Sequence, residues 1–292
     1  MGVKVLFMVY DMLPIQFPDF WEKKHKVSQI HDEWLSVITS FDGAVCISSA
    51  VAKELRDWIS KKYPNQRDNF KIEWFHLGAD IAKHSMAGEI SEWDQELLRT
   101  LEKRPTFLMV GTLEPRKGHA QVWDAFEHLW KSGADVNLVI VGKQGWLVDD
   151  LCKKLRSHAE LNQRLFWLEG ISDEYLEKVY AASTCLVAAS YGEGFGLPLI
   201  EAAQHGLPIL ARDIPVFREV AGDYAAYFNA ETPNELAVAM KSWLSDYQKN
   251  KHPKSSGMNY LTWKESGAML LEKVCQFETI SCSHNDGPVK CA

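Results

Sequence analysis

The chain has 292 residues, a net charge of −7, 24% charged residues and 46% from the aliphatic and aromatic set. That is room for one large or two ordinary domains with a sizeable core. The acidic balance and the lack of a long basic run argue against a nucleic-acid partner, and no window nears the apolar length of a membrane span. Six cysteines with no paired C-x-x-C spacing suit free thiols in a reducing cytoplasm.

Residues 3 to 10 read as a buried strand. Their apolar run has no small-residue cleavage site, so it is not a signal peptide. A Pro-containing loop follows, Leu13 to Pro18. Apolar spacing at Trp21, Val27, Ile30, Trp34, Val37 and Ile38 predicts a helix over 20–38. Gly43 to Ile47 is a short buried strand, and Ser48 or Ser49 caps a helix to about Tyr63. Lys71 to Phe75 is another strand. Residues 81–103 are polar and read as an irregular linker. From Pro105 onward, strands at Thr106–Gly111, Val136–Gly142, Arg164–Glu169, Thr184–Ala189, Leu207–Ala211 and Ala226–Phe228 alternate with helical patterns. That alternation marks a doubly wound parallel α/β sheet. An amphipathic helix over 259–277 comes last. Cys282, His284 and Cys291 read as part of a polar tail, because a fourth metal ligand and a fixed scaffold are missing.

Chemistry concentrates in Ser190-Tyr191-Gly192-Glu193-Gly194-Phe195-Gly196-Leu197-Pro198-Leu199-Ile200-Glu201. Two carboxylates flank a glycine-rich turn between an apolar strand and a helix start. Such a turn presents backbone N–H groups and the positive end of a helix dipole to an anion. Gly194 and Gly196 lack a Cβ that would keep a ligand off the backbone. A phosphate joined to sugars suits this site, since sugar hydroxyls donate to carboxylates. Upstream, Gly111-Thr112-Leu113-Glu114-Pro115-Arg116-Lys117-Gly118 follows the strand from Phe107. Its Arg-Lys pair reads either as a solvated surface pair or as the partner of a diphosphate.

Glu193 to Glu201 resembles the E-x7-E motif of retaining glycosyltransferases of family 4. The Gly111–Gly118 block is similar to that family's donor-diphosphate loop, and Leu168 to Leu176 to the strand and helix start before the E-x7-E strand. The three stand in family order over residues 104–245. The resemblance implies a GT-B fold of two Rossmann-like domains. It divides the chain into a partial acceptor-side domain (1–80), a linker (81–103), a nucleotide-sugar domain (104–250) and a crossover helix with a polar tail (251–292). It assigns Arg116 and Lys117 to the leaving diphosphate, Glu193 to donor-sugar hydroxyls and Glu201 to the ribose. Gly111, Thr112, Gly194, Phe195, Gly196 and Leu197 border the donor. Lys143 and Ile171 border the base, Lys143 being equally readable as a surface lysine. Asp11 belongs to a sugar-touching Asp-x-x-Pro loop, or simply caps the following turn. No metal or other cofactor is implied beyond the nucleotide-sugar donor. The loop variants are most similar to bacterial mannosyltransferases of lipopolysaccharide and capsule assembly, which implies GDP-mannose and a glycan or lipid-linked acceptor, in the cytoplasm or at the inner face of its membrane.

This chain departs from the family in two ways. Thr112 stands where many members have Arg, and the Asp-x-x-Pro loop comes almost at Met1. The opening strands and first glycine loop of the N-terminal domain are therefore expected to be absent, either because the coding sequence is truncated or split or because a partner chain or second copy supplies the missing half. A non-catalytic nucleotide-sugar-binding fragment is the alternative. A glycoside hydrolase has no use for Arg116 and Lys117, and no G-x-G-x-x-G supports an NAD enzyme. His119, His205 and the helix-face tryptophans (Trp21, Trp34, Trp58, Trp123, Trp243) read as structural.

Overall fold

A computed structural model describes residues 3–64, 70–79 and 91–277, and these form two parallel sheets flanked by helices. The first sheet joins β1 (Leu6–Val9), β2 (Gly43–Cys46) and β3 (Lys71–Trp74) in that order, with Met8 opposite Val45 and Val45 opposite Glu73. Parallel neighbours need crossover connections. Here β1 reaches β2 through α1 (Leu13–Gln16) and α2 (Val27–Ile38), and β2 reaches β3 through α3 (Ser49–Lys62). Val9, Leu35, Ile38, Val51 and Leu55 close the core between this sheet and its helices.

Two expectations for this region are corrected. The Leu13–Pro18 loop contains the single turn α1, with Pro14 in its first turn, where a missing N–H leaves nothing unsatisfied. The helix foreseen from residue 20 starts only at Val27. Lys26 takes a left-handed backbone (φ 49°), which separates α2 from a 3₁₀ turn at Lys23–His25. Trp21 therefore lies in a loop, where it stacks on Trp146 at 5.1 Å, while Trp146 Nε1 donates to the Phe20 carbonyl at 2.8 Å. Of the two serines before α3, Ser48 is the cap: its Oγ accepts from Val51 N–H at 3.1 Å.

The second sheet has six parallel strands: β4 (Thr106–Val110), β5 (Asn137–Val141), β6 (Leu165–Leu168), β7 (Cys185–Ala188), β8 (Ile209–Arg212) and β9 (Ala226–Phe228). Helices α5 (His119–Lys131), α6 (Asp149–Ser157), α7 (Asp173–Ala182), α8 (Leu197–Gln204) and α9 (Pro215–Ala221) connect them, and α10 (Pro233–Gln248) follows β9. Preceding β4 is α4 (Glu92–Glu102), which replaces much of the expected irregular linker. Ser91 caps it by accepting from Asp94 N–H, and Leu97 and Leu101, one helical turn apart, are buried. Residues 80–90 and the tail with Cys282, His284 and Cys291 lie outside the described residues.

Strand order is β6-β5-β4-β7-β8-β9. It reverses between β4 and β7, and in doubly wound sheets that reversal opens a ligand crevice at the strands' carboxyl ends. The last helix, α11 (Trp263–Cys275), lies against β2 and β3. Ser266 Oγ donates to the His76 carbonyl at 2.7 Å. No helix among the described residues is long and apolar enough to cross a membrane.

Candidate functional site

The loops leaving β4 and β7 meet at the reversal. The first passes through a 3₁₀ turn at Pro115–Lys117, which Gly118 ends with φ 73°. A Cβ on Gly118 would stand 2.4 Å from the Ala189 carbonyl oxygen, so only glycine lets the two loops come this close. Tyr191 N–H seals the approach by donating to the Arg116 carbonyl at 2.8 Å. The second loop ends at Gly196 (φ 103°), the N-cap of α8, with Pro198 in that helix's first turn.

Glu193 is the centre of the site. Its Oε2 accepts from Arg116 Nη1 at 2.9 Å, and its Oε1 from Lys117 Nζ at 2.5 Å and Ser190 Oγ at 2.7 Å. Arg116 Nη2 also meets Glu114 Oε1 at 2.7 Å. Burial alone would raise the Glu193 pKa, but the Lys117 and Arg116 charges outweigh it and hold the carboxyl below its ordinary 4.5. For Glu114 burial wins and the pKa is raised, and its Oε2 has no hydrogen-bond partner. A cavity beneath this cluster is lined by Lys117, His119, Ser190, Glu193 and Gly196.

Arg116, Lys117 and Glu193 are thus brought together, in direct ion-pair contact where the sequence suggests separate roles. Glu201 shares none of these partners: its Oε2 accepts from Tyr180 OH at 2.7 Å, and the Tyr180 ring stacks on His205 at 5.2 Å. Burial, and then the Glu201 charge, raises the Tyr180 pKa well above its usual value.

The glycine turn is less bare than its sequence suggests. A Cβ on Gly194 would lie 2.1 Å from the Tyr10 carbonyl oxygen, so the loop after β1 already occupies that space. Ser48 Oγ donates to the Gly194 carbonyl at 2.8 Å. Phe195 is 4% exposed and faces His76, with ring centroids 5.3 Å apart. Both positions thus also help to hold the two sheets together. A Cβ on Gly196 would meet the Phe217 ring at 2.9 Å, while Leu197 is half-buried.

Gly111 and Gly142 cross closely at the ends of β4 and β5, where a Cβ on Gly142 would stand 2.0 Å from the Gly111 carbonyl oxygen. Thr112 and Lys143 are exposed beside them, and Leu113 N–H donates to the Lys143 carbonyl at 2.9 Å. Ile171 is half-buried against the larger core. Asp11 Oδ1 accepts from Leu13 N–H at 3.0 Å, so of its two readings the turn cap is the contact present.

Sequence reasoning missed four contributors: Glu114, Ser190, Tyr180 and Glu219. Ser190 and Glu114 carry a local signal, standing three residues before Glu193 and two before Arg116. Tyr180 and Glu219 carry none, because their contacts are made by folding. Glu219, on α9, accepts from the N–H groups of Ser49 and Ala50 at 2.7 and 2.8 Å, and its Oε1 is 2.7 Å from His76 Nε2. One carboxylate of the second sheet's helices thereby caps a helix of the first.

Known proteins resemble this chain in family and in fold. The family described as "Glycosyl transferases group 1" matches residues 91–259, which is 169 of the 292. The serotype-specific mannosyltransferase WbdA of Escherichia coli is 46% identical over 278 residues, covering 94% of this chain and 34% of that protein. The chain thus spans about a third of the length of that relative. The O-antigen chain mannosyltransferase RfbU of Salmonella typhimurium is 30% identical over 149 residues, 50% of this chain and 40% of that protein. Among solved structures, Anabaena HepE in complex with UDP and glucose superposes with a TM-score of 0.67 at 18% identity, covering 93% of this chain and 71% of that one. A Burkholderia xenovorans α,α-trehalose-phosphate synthase gives a TM-score of 0.70 at 13% identity, covering 95% and 68%. Likeness at such identities speaks for the fold alone, an α/β fold of the GT-B kind. The family match covers more than half of the chain and both loops of the β4–β7 crevice, so the chain belongs to the group 1 glycosyl transferases.

Proposed function

We propose that the chain moves a mannosyl residue, with retention, from GDP-mannose to a glycan or lipid-linked acceptor at the cytoplasmic face of a membrane. The observation that carries this reading is the Arg116–Lys117–Glu193 cluster at the β4–β7 reversal, beside the N-terminus of α8. The mannose assignment rests on the mannosyltransferase relatives. In this reading Arg116 and Lys117 neutralise the leaving diphosphate, charge stabilisation that side chains and a helix end supply without a metal. Glu193 takes donor-sugar hydroxyls, and Glu201, oriented by Tyr180, takes the ribose. Gly111, Thr112, Lys143 and Ile171 border the nucleotide, and the loop after β1 that carries Asp11 reaches the donor sugar.

Titration calorimetry with GDP and UDP, without added metal, tests the donor site. GDP is expected to bind, and Lys117→Ala to weaken it by about 1.5–3 kcal/mol, the value of a hydrogen bond to a charged group. No binding of either nucleotide at millimolar concentration would sink the assignment. Incubation with GDP-mannose and a mannoside acceptor then tests the chemistry. An α-linked product is expected. A β-linked product would refute retention, and tight donor binding without any transfer would favour the non-catalytic alternative.

A further inference from the structure

The two cations that would receive the diphosphate already hold a carboxylate. Lys117 Nζ and Arg116 Nη1 both donate to Glu193, whose side chain is only 11% exposed, and Ser190 Oγ completes its contacts. An incoming diphosphate draws on the same two cations, and a second anion beside the carboxylate in that buried spot meets strong repulsion. We propose that Glu193 is a built-in competitor for the diphosphate subsite, which the donor displaces on entry and which returns when the product leaves. This rests on the donor-site reading above and deepens it.

The consequence is a discrimination between donor and product. Leaving Lys117 and Arg116 strips Glu193 of two charge-assisted hydrogen bonds. A nucleotide sugar offers replacement donors in its hydroxyl groups, whereas a bare nucleoside diphosphate offers none at that position. The carboxylate therefore opposes the product more than the donor and drives the spent nucleotide out. The spacing of the ligands fits this role. Ser190 is three residues upstream on the same loop, so it can keep the carboxylate near the cations while its other contacts exchange. Arg116 retains Glu114 as a second partner throughout.

The test compares wild type with Glu193→Gln, which keeps the shape and removes the charge, and with Glu193→Ala as a second variant. Calorimetry uses inorganic pyrophosphate, GDP and GDP-mannose. Both variants are expected to bind pyrophosphate and GDP about ten-fold more tightly than wild type, within the usual range of coupling between competing ligands. The ratio of GDP-mannose to GDP affinity should fall in both. In a Lys117→Ala background the gain from Glu193→Gln should shrink, because the contested donor is gone. A residue that merely braced the loop would weaken these ligands on substitution, so equal or weaker GDP binding by both variants overturns the proposal while leaving the donor site standing. If wild type and variants alike bind none of the three ligands, the donor-site reading itself falls, and the proposal with it.

Discussion

At the scale of single residues, His119 is a strongly perturbed group near the site. It opens α5 two residues after Lys117 and is 2% exposed. Burial, and then the Lys117 charge, pushes its pKa from 6.5 down to about 3, against an opposing pull from the Glu114 backbone. The folded ring stays neutral where the unfolded chain already takes a proton, so stability is full above pH 6.5 and declines as pH falls towards 3. Each unit in that window costs about 1.4 kcal/mol for this one proton. Urea unfolding near pH 7 and near pH 5 checks it. Wild type should lose about 2 kcal/mol more than His119→Leu between the two, whereas His31 and His252, also lowered by burial, contribute equally to both proteins. Identical losses would show that His119 is not the group responsible. Arg116, Lys117 and Glu193 stand out in the sequence because the motifs that carry them resemble those of a known family. Their mutual ion pairs were not, since two loops separated by more than seventy residues must fold before their charges meet.

At the scale of elements, Glu219 links α9 to the first turn of α3. It accepts from two otherwise orphan amides there and also meets His76, which follows β3. Burial would raise its pKa, yet His76 and the two amides lower it. Its contribution to stability is therefore present above the ordinary carboxylate value of 4.5 and is lost as pH falls through the lowered one. The two amides lie on different carboxylate oxygens, so Glu219→Gln in the same pose puts an NH₂ group against one of them. It should cost about 2 kcal/mol, from a lost cap and a lost charge at a helix N-terminus. Chemical denaturation measures this, and a loss below ~0.5 kcal/mol would mean that the cap contributes little. Two misread elements show where periodicity fails. The apolar spacing continues through Lys26, whose left-handed backbone ends the helix, and a pattern of side chains does not report one dihedral angle. The α4 segment looked irregular because its exposed face is highly charged, although Leu97 and Leu101 carried the buried side.

At the scale of the whole molecule, β1 is the end strand of its sheet among the described residues. Met8 on that strand is 36% exposed, and Ile30 and Val37, seven residues apart on one face of α2, are 59% and 58% exposed. An end strand with an exposed apolar side chain and an exposed apolar stripe on a helix both favour association between copies of this chain. Light scattering should therefore show a mass that rises with concentration, and Met8→Lys with Val37→Glu should reduce the rise. A constant monomer mass for the unmodified chain would refute this.

The sequence by itself determined the doubly wound second sheet, the positions of its strands and the Arg-Lys and glutamate motifs, because periodicity and glycine turns are local properties. Only the tertiary structure decided what surrounds those motifs. Gly194 is closed off by Tyr10, Glu201 is held by Tyr180, Glu219 clamps a distant helix, and Glu193 is paired with both Arg116 and Lys117. Each of these depends on segments far apart in the chain being brought within hydrogen-bond reach, and no local pattern records that.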